Sequence, residues 1–207
     1  MKLSFVIPAH NEKKLIGRCL KSILKEVAPG THKAEIIVVD NVSTDGTREE
    51  ALRHPKVTVV DEPFRGLSQA RRAGFVVSTG ELIANLYADT ELSRGWLQKV
   101  MEAFAEDEQL VGLSGPYMYK GADVVDRVVT KILYGAKFLF YFFTKAVFGV
   151  GELFEGGNLV MRRSALLLAS GGDATAMFSG GDTEMIRRIS KIGEVRWMWS
   201  LPIIRVK

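Results

Sequence analysis

A single cysteine, Cys19, leaves the chain with no internal disulfide and no Cys-based zinc cage, and fits a reducing, cytosol-facing compartment. Histidine is almost as scarce. His32 and His54 stand apart in polar surroundings and read as surface residues, and only His10 lies inside a patterned run. No Gly-rich loop with a basic residue follows the first apolar run, so the phosphate cradle of a nucleotidyltransferase is missing. No basic stripe with interleaved aromatics is visible, which argues against nucleic-acid binding. Internal repeats and low-complexity linkers are also lacking. The apolar stretch from Lys2 to Pro8 is too short for a signal-peptide core, so the first residues are expected to belong to the fold.

What is present is ordinary globular composition: 47% hydrophobic and 25% charged residues over 207 positions. That length suits one domain better than two. The 28 Lys and Arg exceed the 24 Asp and Glu by four, and the excess is spread rather than blocked. Such a balance suits an anionic ligand or an anionic membrane surface.

The first half alternates strand-like and helix-like segments with short connections, which predicts an α/β domain with a mainly parallel sheet. Leu3 to Ile7 reads as a buried strand stopped by Pro8. From Glu12 to Val27, apolar residues fall on one helical face, with Lys13, Lys14, Arg18, Lys21 and Lys25 on the others. Further strands are expected at Ile36 to Val39, Val57 to Val60, Glu81 to Tyr87 and Leu110 to Ser114. A short helix to Arg53, a helix over Gly66 to Val77, and one capped by Ser93 and running through Phe104 lie between them. Beyond the apolar segment ending at Met161, helices are expected from Ser164 and from Gly181 to about Lys191. Two closing strands follow, Glu194 to Trp199 and Ile203 to Val206.

In open α/β sheets ligands sit outside the carboxyl ends of the strands. The segment Pro8 to Glu12 follows the first strand, Asp40 ends the second and Asp89 ends the fourth. Nearby helix N-termini offer free N–H groups to a phosphate, and a carboxylate there can hold a divalent cation. These residues point to a phosphate-ester ligand with a metal. The alternative is that Asp40, Asp45 and Asp89 are turn and cap residues, which aspartate favours anyway.

Five segments in order carry a family resemblance. They are Phe5 to Glu12 (FVIPAHNE), Ile37 to Thr47 (IVVDNVSTDGT), Gly66 to Gly74 (GLSQARRAG), the pair Gly80–Glu81 with Ala88 to Thr90, and Gly156 to Arg163 (GGNLVMRR) with Gly181–Asp182. Together they resemble the family 2 glycosyltransferases. The resemblance implies the GT-A fold as one domain over 1–207, with a nucleotide-sugar-binding half (1–115) and an acceptor-side half (116–207). By the same resemblance Pro8, His10, Asn11 and Glu12 wall the nucleotide pocket, Asp40 reads the base, and Arg71 lines the nucleotide site. Asp89 holds Mg²⁺ or Mn²⁺, Gly157 and Asn158 belong to the acceptor side, and Asp182 is the general base. Two departures stand out. The first aspartate of the family's Asp-x-Asp metal motif is Tyr87, and the common Glu-Asp of the base motif is Gly181–Asp182, with Glu184 as a rival base.

Residues 132–150 hold fourteen apolar residues in nineteen and seven of the chain's nineteen aromatics. As a helix they would span roughly 28 Å, near bilayer thickness, yet Lys137 and Lys145 interrupt them. A single crossing would also separate Asp182 from Asp40 and Asp89. An interfacial helix at the inner face of the membrane meets both objections, with a buried helix or a homodimer interface as the alternative. The expected activity is transfer of a sugar from a nucleoside-diphosphate donor, UDP before GDP, with inversion. The acceptor is unidentified and, with membrane contact, would be lipid-linked, a polyprenyl phosphate or glycolipid. The rival reading is a non-catalytic nucleotide-sugar-binding module, motivated by Tyr87.

Overall fold

In the computed structural model, residues 1–119, 129, 132–136, 139, 154–172, 178 and 181–206 are described. The first half alternates as the sequence predicts: β1 (Lys2–Ala9), α1 (Lys13–Val27), β2 (Lys33–Asp40), α2 (Thr47–Leu52), β3 (Val57–Asp61), α3 (Leu67–Val77) and β4 (Leu82–Leu86). After β5 (Thr90–Leu92) come α4 (Trp96–Glu106), β6 (Leu110–Ser114) and β7 (Tyr117–Tyr119). The later elements are β8 (Asn158–Arg162), α5 (Arg163–Ala169), α6 (Gly181–Ile189), β9 (Glu194–Trp197) and β10 (Ile203–Arg205).

Seven strands form the main sheet in the order β3-β2-β1-β4-β8-β6-β9. β3, β2, β1 and β4 run parallel, and β8 is antiparallel to both its neighbours. Covering both faces of a parallel sheet requires strands apolar on both sides. β1 shows it: Leu3, Phe5 and Ile7 pack towards α1 and α4, while Val6 joins the layer of Phe75, Met185 and Ile189 on the opposite face. On α1, Ile16, Cys19, Leu20 and Ile23 are buried at the three- and four-residue spacing of one helical stripe.

Two three-residue strands escape sequence reading because so short a run carries no period. β5 and β7 exist through their partner β10, which pairs antiparallel to β5 and parallel to β7 in a second sheet. The start of α4 also differs from expectation. Ser93 makes no side-chain cap; instead Glu26, reaching across from α1, accepts the N–H groups of Gly95 (3.0 Å) and Leu97 (3.1 Å). A carboxylate from a neighbouring helix satisfies orphan amides as a local cap does, and it ties α1 to α4 as well.

At the amino ends of the strands, Glu35 accepts from Lys2 Nζ (2.6 Å), Ser4 Oγ (2.5 Å) and the Thr79 N–H (2.6 Å). Burial pushes its carboxyl up, but these donors outweigh burial and hold its pKa at about 2. A depressed folded pKa contributes stability above the unfolded value of about 4.3, lost as pH falls towards the folded value. Glu35→Gln is therefore expected to lower unfolding free energy at pH 7 by on the order of 2–3 kcal/mol. The gap from wild type should shrink between about pH 4.3 and pH 2, read by urea denaturation at each pH. A gap constant with pH would refute this assignment.

Candidate active site

The strand order reverses between β2 and β4, on either side of β1, and this is where an open α/β sheet leaves a crevice at its carboxyl edge. A cleft of about 460 Å³ opens there, lined by Pro8, His10, Glu12, Gly66, Asp89 and Arg205 among others. The segment after β1 is fastened to the turn after β2. Asn11, at φ 55°, accepts the Thr44 N–H on Oδ1 (2.9 Å), and its own N–H donates to Ser43 Oγ (3.1 Å). The Glu12 N–H donates to Thr47 Oγ1 (2.8 Å), and Lys13 N–H donates to Asp45 Oδ2 (3.1 Å). Asn11 thus shapes the pocket wall by holding the turn, while Pro8, His10 and Glu12 line the cleft itself. The Glu12 carboxyl is raised by burial, then by the charges of Asp89 and Asp45.

Asn41 is an organiser that motif reading overlooks. Its Nδ2 donates to the carbonyls of Glu62 (3.0 Å) and Phe64 (2.8 Å), and its Oδ1 accepts the Gly66 N–H (2.7 Å). Its carbonyl is joined to His10 Nδ1 at 2.8 Å. The loop that brings the N-terminus of α3 to the cleft therefore hangs on one buried amide. Asp40 ends β2 opposite Ala9, is 8% exposed, and keeps Oδ1 buried with no partner among the described residues.

Asp89 lies in the turn between β4 and β5, where Thr90 Oγ1 donates to the Tyr87 carbonyl (2.6 Å) and Val206 N–H donates to the Asp89 carbonyl (2.8 Å). Its Oδ2 accepts from Arg205 Nε at 2.8 Å, and its Oδ1 is buried without a partner among the described residues. No group of three or more His, Cys, Asp or Glu suited to a metal occurs among the described residues. The free Oδ1 nevertheless fits one bond to a Mg²⁺ or Mn²⁺ whose other ligands are donor oxygens and water.

Arg71 brings together α3 and the residues expected on the acceptor side. This α3 residue is 4% exposed; its Nη1 pairs with Asp182 Oδ1 at the start of α6, and its Nη2 donates to the Gly156 carbonyl (2.9 Å). Arg71 thus joins the two halves, with its guanidinium 5.7 Å from the Tyr87 ring centroid. Glycines are required at 156 and 157 by close approach. A Cβ on Gly156 would strike the Asp182 carboxylate, and one on Gly157 would strike the Tyr87 ring. Asn158, expected on the acceptor side, takes a supporting place. It is fully buried, accepting from Trp96 Nε1 (3.1 Å) and donating to the Leu201 carbonyl (2.9 Å). Glu184 is committed elsewhere: Arg187 and Arg188 bind both its oxygens at 2.8–2.9 Å and hold its pKa at about 2.

The segment 132–150, apart from 132–136 and 139, lies outside the described residues, as do the contacts expected of it. Among the described residues no helix is long and apolar enough to cross a membrane.

Comparisons with known proteins agree with this architecture. The sequence model of glycosyl transferase family 2 matches residues 4–167, and the chain belongs to that family. It is 31% identical to Glycosyltransferase AglE of Haloferax volcanii over 102 residues, covering 47% of this chain and 33% of that protein. It is 26% identical over 205 residues to the probable glycosyltransferase YdaM of Bacillus subtilis, covering 93% of this chain and 47% of that one. The chain therefore spans from a third to about half the length of these relatives. Among solved structures, the mannosyltransferase PcManGT from Pyrobaculum calidifontis, in complex with GDP-Man and Mn²⁺, superposes with a TM-score of 0.71 at 25% identity, covering 99% of this chain and 56% of that one. Glucosyl-3-phosphoglycerate synthase from Mycobacterium tuberculosis, with Mn²⁺, UDP and glucosyl-3-phosphoglycerate, gives 0.64 at 18% identity, covering 97% and 70%. The fold is the GT-A fold.

Proposed function

We propose that the chain is a glycosyltransferase domain moving a sugar from a nucleoside-diphosphate donor to an acceptor with inversion. The observation that carries the reading is a pair of buried, unpartnered carboxylate oxygens, that of Asp40 at the carboxyl end of β2 and that of Asp89 in the cleft lining. Nucleotide-sugar ligands offer both a ring N–H for the first and, through a diphosphate-bound cation, a positive charge for the second. Mg²⁺ or Mn²⁺ held by Asp89 would offset charge on the diphosphate. The N-terminus of α3, opening on the same cleft at Gly66 and Leu67, favours the same anion. Asp182, held in place by its pair with Arg71, would accept the proton of an acceptor hydroxyl.

UDP remains the first expectation for the nucleotide and GDP the second; the likeness to a mannosyltransferase bound to GDP-Man keeps both in view. The acceptor read from segment 132–150 is lipid-linked, a polyprenyl phosphate or glycolipid met at the inner membrane face. Thermal melting against UDP and GDP tests the donor reading. At a hundredfold excess over Kd, linkage gives about 2.7 kcal/mol, which for a chain of this size raises Tm by roughly 5–10 °C. Asp40→Ala is expected to remove the rise. No rise with any nucleoside diphosphate in folded protein refutes the reading, and binding without slow donor hydrolysis favours the non-catalytic module.

A further inference from the structure

Arg205 has no counterpart in any motif read from the sequence, yet it stands inside the donor cleft. β10 carries it there by pairing Arg205 with Thr90 on one side and Tyr119 on the other. Its guanidinium is steered on three sides. Nε donates to Asp89 Oδ2 at 2.8 Å, and the rings of Tyr87 and Tyr117 lie 5.8 and 5.7 Å from it. No other hydrogen bond is made by its terminal nitrogens among the described residues, and the side chain keeps 39% of its exposure. A cation fixed through Nε and flanked by two ring faces presents its outer N–H fork to whatever enters the cleft.

The position of Tyr87 gives this arrangement its meaning. Tyr87 offers no carboxylate two residues before Asp89, and its ring forms a wall for the guanidinium instead.

We propose that Arg205 is a donor-binding residue that supplies, from the chain itself, much of the positive charge for the donor's diphosphate, so that nucleoside-diphosphate binding depends only weakly on a divalent metal. This rests on the donor-site reading above. As the anomeric C–O bond breaks, its electron pair stays on the diphosphate oxygen. The Arg205 N–H groups hydrogen-bond that charge without releasing a proton. The acceptor oxygen forms the new bond to the anomeric carbon, and its proton goes to Asp182.

Calorimetric binding of UDP, GDP and the matching nucleosides, in EDTA and in Mn²⁺, separates the outcomes. Wild type is expected to bind one diphosphate in EDTA within about tenfold of its affinity in Mn²⁺. Arg205→Ala should weaken that diphosphate in EDTA roughly 10–100-fold while leaving nucleoside affinity unchanged, with Arg205→Lys intermediate. A merely structural role for Arg205 would weaken nucleoside and diphosphate alike, and melting temperature reports any loss of fold. Wild-type binding abolished by EDTA, or Arg205→Ala binding the diphosphate as wild type does, overturns the inference and leaves the donor reading standing. No binding of either diphosphate under any condition overturns both.

Discussion

Asp182→Asn is expected to lower turnover on a hydroxyl acceptor by about 10²–10⁴-fold, the usual contribution of a positioned general base. The carboxylate is held from two directions. Oδ1 is paired with Arg71, and Oδ2 lies against the Gly156 backbone where no side chain fits. Asparagine keeps an acceptor for Arg71 but loses the capacity to take a proton, so geometry and chemistry part company in this variant. Glu184→Gln is the matched control. Glu184 lies two residues further along α6 with both oxygens taken by arginines, and its replacement should leave turnover near wild type. Nucleotide-induced melting shifts should survive in both variants, because neither residue lines the donor cleft. Substantial residual turnover in Asp182→Asn would count against the base role and favour an acceptor that arrives already ionised, such as a phosphate.

The donor half of this site was legible because its determinants are local. An apolar run at Leu3 to Ile7, or a β-branched one reaching Asp40, announces a strand; β1 runs past the expected stop at Pro8 to Ala9, and the sheet order gathers these carboxyl ends. The resemblance singled out Arg71, but not as the partner of Asp182. The two are 111 residues apart, and only the packing of α3 and α6 on one face of the sheet brings them together. Arg205 lies in a strand the sequence announces, Ile203 to Val206, but nothing marked it as a site residue, because its neighbour Asp89 is reached only through a second sheet. Asn158 shows the opposite failure. It sits in a recognisable motif, but burial assigns it to Trp96 and Leu201, which no spacing rule could tell. The cap on α4 follows the same pattern: Ser93 satisfied the local rule, and Glu26 from another helix took the amides.

Arg71→Ala is expected to be the most destabilising single change in the site, at about 3 kcal/mol, the low end of the range for breaking a buried pair, because Asp182 keeps 21% of its exposure. Burial already lowers the Arg71 pKa, so the charge stays in place through what it touches: Asp182, the Gly156 carbonyl and the face of Tyr87. Removing it strands a carboxylate beside a carbonyl oxygen and empties the space between α3 and the turn before β8. Arg71→Met restores the apolar volume but not the charge, so it should lose less than alanine. The double variant Arg71→Met with Asp182→Asn should lose less than the sum of the two single changes, because each alone leaves the other group unpaired. Urea denaturation of the four proteins closes this cycle. An additive result would mean that the pair does not couple the two halves. A coupling of 1 kcal/mol or more, the size expected for residues in direct contact, would mean that the nucleotide side and the base side are held as one unit by this contact.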